Sequence, residues 1–156
     1  MSHIRSRAGL TFILSVALFH YRVHALAASG LQRGQVVIDG RVRIDVEVAR
    51  SPQAQAKGLS GRSLLRKGTG MIFPYDAPGQ QTFWMKGMLI PLDILWVVRG
   101  KIVAIEANVP PPSPMSALAV YSHLADLVLE VPAGYAREMG IRVGQSVGVR
   151  YRSVSR

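Results

Sequence analysis

No cysteine occurs in the 156 residues, which excludes disulfides and thiolate metal sites outright. Acidic residues are scarce too: 9 stand against 19 lysines and arginines, for a net charge of +10. Of the four histidines, His3, His20 and His24 fall near the N-terminus, leaving His123 by itself. A lone histidine makes neither a zinc site nor a catalytic triad. No uncharged apolar run approaches the ~18 residues of a membrane-spanning helix. Phosphate loops and dinucleotide fingerprints are absent, and Ser60, Ser63 and Ser122 have no nucleophile-elbow context. No cofactor is therefore expected. Nucleic acid is not expected as a partner either, because no recognition-helix, zinc-finger or aromatic RNA-binding pattern appears.

What is present suits one domain with a real core: 49% of residues are hydrophobic and 18% charged. The first 27 residues read as a secretory signal. Arg5 and Arg7 supply the positive start, Ala8 to Phe19 the apolar run, and Ala25-Leu26-Ala27 small residues where a signal peptidase cuts. His20, Tyr21, Arg22 and His24 make the stretch between them polar, so an uncleaved N-terminal anchor is the alternative. Either way the domain is expected outside the cytoplasm, periplasmic, secreted or held at the inner membrane. With Arg5, Arg7 and Arg22 set aside, 16 basic residues face 9 acidic ones, and the remaining +7 favours contact with anionic surfaces.

Residues 28–34 read as a linker, 35–152 as a single β-rich domain and 153–156 as a tail. From Gln35 to Val48 the pattern is a hairpin, turning at Asp39-Gly40 and alternating Val42, Ile44, Val46 and Val48 with polar residues. Ser51-Pro52 opens a short helix that Gly58 ends. Strands are expected at Met71–Phe73, Gln81–Lys86, Leu92–Val98, Lys101–Val109, Ala125–Val131 and Gln145–Arg152, with a short helix within Pro132–Met139. The proline-rich stretch from Pro110 to Pro114 must be a loop, and Ala117 to Leu124 can be helical or irregular. The fold class is mainly β: a compact β-sandwich or barrel-like domain with two or three short helices.

Chemistry concentrates in Phe83-Trp84-Met85-Lys86 and Ile90-Pro91-Leu92-Asp93. If the first is a strand, Phe83 and Met85 share one face, Trp84 and Lys86 the other. A tryptophan beside a cation can form a platform for a ring or sugar, with Lys86 steering an anionic group; equally, Trp84 can fill the core while Lys86 extends into solvent. Asp93 and Glu130 lie in apolar stretches, where a carboxyl must find a partner or hold its proton. Arg62 or Lys86 is a candidate partner for Asp93. The two carboxyls form a possible acid–base pair if they meet in space. Met71, Met85, Met88 and Met115 with His123 suggest Cu(I), though core methionine is far commoner and no metal is expected.

Gly58-Leu59-x-x-Arg62, Gly70-Met71-Ile72-Phe73, Phe83-Trp84-Met85-Lys86, Ile90-Pro91-Leu92-Asp93-Ile94-Leu95, Val128-Leu129-Glu130-Val131-Pro132-Ala133-Gly134 and Gly140-Ile141-x-x-Gly144 follow in order. Together they resemble the family known as domain of unknown function 192, over roughly Val36 to Val149. The resemblance implies a compact, mainly β fold, often behind an N-terminal signal or anchor in bacteria, and brings no reaction with it. This chain departs from the family pattern at Ser60, usually Met, at Gly87-Met88, usually Asn-Thr, and at Gln145, often Asp.

The function expected from these features is a non-enzymatic extracytoplasmic module. It would bind a small polar molecule, glycan or envelope component through Arg62, Trp84, Met85, Lys86, Asp93 and Glu130. The alternatives are a structural or assembly partner at the membrane surface, and a hydrolase working through Asp93 and Glu130.

Overall fold

The computed structural model describes residues 31–115 and 117–152. The signal or anchor at 1–27 and the tail at 153–156 lie outside them. Strand β1 (Gln32–Ile38) starts three residues before the expected hairpin and runs antiparallel to β2 (Val42–Val48). Asp39 and Gly40 turn between them with φ of 47° and 68°. This mirror-image turn matches the twist of the flanking strands. Helix α1 (Pro52–Lys57) follows, with Ser51 accepting the Ala54 N–H at 3.2 Å and proline in the first turn.

Strand β3 (Thr69–Trp84) joins two segments that the sequence pattern separates. A register irregularity between Pro74 and Gly79 accommodates the proline and its turn-prone neighbours, so one strand continues where two are expected. Its start pairs in parallel with β2. Strands β4 (Leu92–Val98) and β5 (Lys101–Val109) form a hairpin through Arg99-Gly100 at the expected boundaries. Strand β6 (Val120–Pro132) takes in the second half of the undecided 117–124 stretch and pairs with both β3 and β4. Helix α2 (Tyr135–Glu138) is a single turn, and β7 (Val147–Tyr151) pairs with β1.

The result is one seven-stranded sheet, ordered β5-β4-β6-β3-β2-β1-β7. It is barrel-like rather than a two-sheet sandwich. Its ends meet: Val147 N–H donates to the Gly100 carbonyl at 2.9 Å, and Ile102 N–H to Gln145 at 3.0 Å. Asp39 secures the closure by accepting the Ser146 N–H at 2.8 Å and its hydroxyl at 2.9 Å. Those bonds hold the Asp39 carboxyl below its ordinary range.

Strand alternation gives the sheet two apolar faces. One, built from residues such as Val36, Ile44, Ile72, Leu95 and Leu129, fills the inside of the curl and takes Tyr135, Ala136 and Ile141 from the α2 region. The other carries Met71, Phe73, Ile94, Trp96 and Val128, and is covered by Leu59, Met85 and Met88 from the connecting segments. The second face holds the candidate site.

Candidate functional site

Directly opposed residues of neighbouring strands share a face. Glu47 opposes Met71, Met71 opposes Glu130, and Glu130 opposes Ile94, so one row crosses β2, β3, β6 and β4. Two carboxylates therefore stand among apolar neighbours. Glu47 is held by Arg62, which reaches over from the segment after α1 with two parallel bonds of 2.6 and 2.7 Å. This bidentate geometry is among the stronger polar contacts a protein makes. It raises the Arg62 pKa, the hydrogen bonds to Glu47 being the main cause.

Glu130 has no such clamp. It is 6% exposed, and its buried Oε2 has no hydrogen-bond partner. Burial pushes its carboxyl up to about 8, with the Arg62 charge opposing only part of the shift. At neutral pH the group is mostly a carboxylic acid, able to donate a hydrogen bond. Tyr75 nearby has its phenol shifted upward, first by burial and then by Glu130.

A cleft of about 300 Å³ opens above this acid, between the end of α1 and the last residues of β3. Lys57 and Ser60 line one side, and Gln81, Trp84 and Lys86 the other, with Phe73, Phe83 and Tyr75 between. Phe83 packs edge-on against Phe73 at 4.9 Å and against Trp96 at 5.3 Å, which fixes the wall. Trp84 is the next residue along the strand and is 52% exposed. Of the two tryptophans, Trp96 fills the core and Trp84 stands half exposed at the edge of the cleft.

The expected site residues divide accordingly. Trp84, Lys86 and Glu130 come together at the cleft. Met85 is core, 2% exposed, as its alternation with Trp84 requires. Arg62 clamps Glu47 rather than lining the cleft. Asp93 is a structural acceptor, and its partners are neither Arg62 nor Lys86. Its oxygens take the N–H groups of Asn108 at 2.8 Å, Gly134 at 2.9 Å and Ala136 at 2.8 Å. A buried carboxylate with three backbone donors is satisfied where it stands.

Register also removes the acid–base pair. Asp93 opposes Val131 while Glu130 opposes Ile94, so the two carboxyls point to opposite faces of the sheet. Of the Cu(I) candidates, Met71, Met85 and Met88 share the apolar cluster of the second face, whereas Met115 and His123 stand outside it. Met71 and Met85 are buried in the core, and Met115 is 94% exposed at the end of the proline-rich loop. His123 engages Glu106 at 2.7 Å.

Lys57, Tyr75 and Gln81 line the cleft although the sequence pattern did not single them out, and neither did it single out Glu47, the partner of Arg62. Glu47 occupies a polar position in the β2 alternation, the usual mark of a water-facing side chain. Arg62 crosses over it and holds it. The departures at Ser60 and Gly87 lie in contact: the Ser60 hydroxyl donates to the Gly87 carbonyl at 3.1 Å. Gly87 has φ of 73° and no room for a Cβ beside that hydroxyl.

Residues 34–149 match the model of domain of unknown function 192, described as an uncharacterised ACR. The chain belongs to that family. This family member is similar to a crystallised protein of unknown function from Novosphingobium aromaticivorans. The two share 36% identity at a TM-score of 0.69, over 78% of this chain and 89% of the other. It is also similar to a Sinorhizobium meliloti protein described as a candidate transcription regulator. There the identity is 28% and the TM-score 0.67, over 76% and 92% of the two chains. No curated protein matches it.

Proposed function

We propose that this family 192 domain is an extracytoplasmic binding module whose cleft receives one small polar molecule. The observation that carries the reading is the buried, unpartnered Oε2 of Glu130 beneath an open cleft. Leaving a buried polar atom unsatisfied costs about 1–3 kcal/mol, a cost that a ligand supplying the missing partner relieves. Three further features favour binding over structure alone. The cleft is at the lower end of ligand-pocket sizes, enough for one ring rather than an extended chain. Polar groups (Gln81, Ser60, Tyr75) alternate with aromatic walls around it. Trp84 is half exposed at its mouth, where an apolar side chain otherwise gains nothing.

The extracytoplasmic part rests on the residues before the domain, with Arg5 and Arg7 ahead of the apolar run and Ala25-Leu26-Ala27 after it. Binding is tested by calorimetry of the full chain against neutral, anionic and cationic sugars and metabolites, alongside Trp84→Ala. At least one compound should bind and lose at least tenfold in affinity in the variant, with the melting temperature of the variant little changed. Flat titrations across all three charge classes would remove the binding reading.

A further inference from the structure

We propose that the ligand of this cleft is a carboxylate-bearing sugar ring, a uronic-acid type of monosaccharide or the end of a polymer built from one. The inference rests on the binding reading above and names the class of ligand. The arrangement of charge around the cleft decides it. Lys57 and Lys86 reach it from opposite sides, and neither enters an ion pair among the described residues. Arg62, the guanidinium near the site, is already committed to Glu47. The cleft thus offers two exposed ammonium groups and one buried carboxyl, but no free planar fork of donors. Phosphate-binding sites commonly present such a fork or a helix N-terminus. Here the end of α1 at the cleft is its C-terminal one, at Lys57 and Gly58, which disfavours a dianion.

A monoanionic carboxylate fits these groups one by one. One of its oxygens accepts a hydrogen bond from the protonated Glu130 carboxyl, satisfying the buried group. The other faces the ammonium groups, and the ring lies against Phe83 and Tyr75, with its hydroxyls toward Gln81 and Ser60 and Trp84 at the rim. The raised pKa of Glu130 agrees with this, since a deprotonated Glu130 would repel the ligand's own charge. A neutral sugar would leave both lysines unused, and a cation would meet two like charges.

Calorimetry with D-glucuronate, D-galacturonate, D-glucose and trigalacturonate tests the class. A uronate should bind at least tenfold tighter than glucose at pH 6.5. Between pH 6.5 and 9 its affinity should fall about tenfold, following the protonated fraction of a group titrating near 8. Glu130→Gln keeps a hydrogen-bond donor without a titrating proton, so it should bind the uronate with no such pH dependence. Lys86→Met should weaken uronates at least fivefold while glucose is unaffected. Tighter binding of trigalacturonate than of galacturonate would assign the ligand to a polymer end; equal or weaker binding would assign it to the free sugar. Glucose binding as tightly as the uronates, or uronate binding indifferent to pH in the wild type, would overturn the acidic class yet leave a binding cleft. Failure of every sugar, with a metabolite of another class binding and sensitive to Trp84→Ala, would also overturn it alone. Failure of every compound at the cleft would remove both readings.

Discussion

Glu130 and Asp93 show how one residue type meets opposite ends in neighbouring strands. Asp93 is wholly buried and gathers three backbone donors, one from Asn108 on β5 and two, Gly134 and Ala136, at the start of α2. Asp93→Ala should cost about 3 kcal/mol in urea denaturation, because those N–H groups are left buried without an acceptor. The uronate affinity should survive, since Asp93 faces away from the cleft. Glu130 is buried without a full set of partners and keeps its proton instead. Its folded value near 8 lies above the unfolded one near 4.5. Its contribution to stability is therefore complete below about pH 4.5 and is lost as pH rises through 8. Thermal melts of wild type and Glu130→Gln should diverge over that window, the wild type losing stability relative to the variant as pH rises. Parallel curves from pH 5 to 9 would show that Glu130 titrates normally.

The last residues of β3 are divided between its two faces by alternation, a property of the element rather than of any single side chain. Phe83 packs on Phe73 and Trp96 along the wall of the cleft, while alternation turns Trp84 to the opposite face, half exposed at the cleft's rim. We expect Phe83→Ala to cost about 2–4 kcal/mol through the cavity it leaves, and Trp84→Ala less than about 1 kcal/mol because the side chain is half exposed. Equal losses in chemical denaturation would mean that Trp84 is structural. This alternation was legible in the sequence, as were the two turns at Asp39-Gly40 and Arg99-Gly100 and the helix opened by Ser51-Pro52. The continuity of β3 was not, since Pro74 and Pro78 are ordinary strand breakers and only pairing with β6 carries the strand past them. The cleft was half legible. Trp84, Lys86 and Glu130 stand out by type and context, but they belong to strands whose adjacency depends on topology. Asp93 looked like a possible partner for Glu130 because sequence alone does not fix register, and a shift of one residue exchanges the faces of a strand.

At the scale of the whole molecule, the sheet separates two tasks. The enclosed face carries most of the hydrophobic packing, and all seven strands reach it. The other face needs only connecting segments for cover, so it has room for a cleft between α1 and the end of β3. With 16 basic and 9 acidic residues after residue 27, the charge balance favours anions before any reaches the cleft. Uronate association should accordingly slow as salt rises, in stopped-flow fluorescence of Trp84. If the leader acts as a signal, the exported protein begins at Ala28, which N-terminal sequencing of the periplasmic or secreted form would show. A membrane-bound form retaining Met1 would identify an anchor instead. The most direct measurement is a pH titration of the four glutamate carboxyls by carbon-13 NMR, assigned with Glu130→Gln. One resonance should titrate with a midpoint of about 8, vanish in the variant and shift when glucuronate is added. Four glutamates that all titrate in the ordinary range near 4.5 would contradict the buried, proton-holding Glu130 on which the site depends.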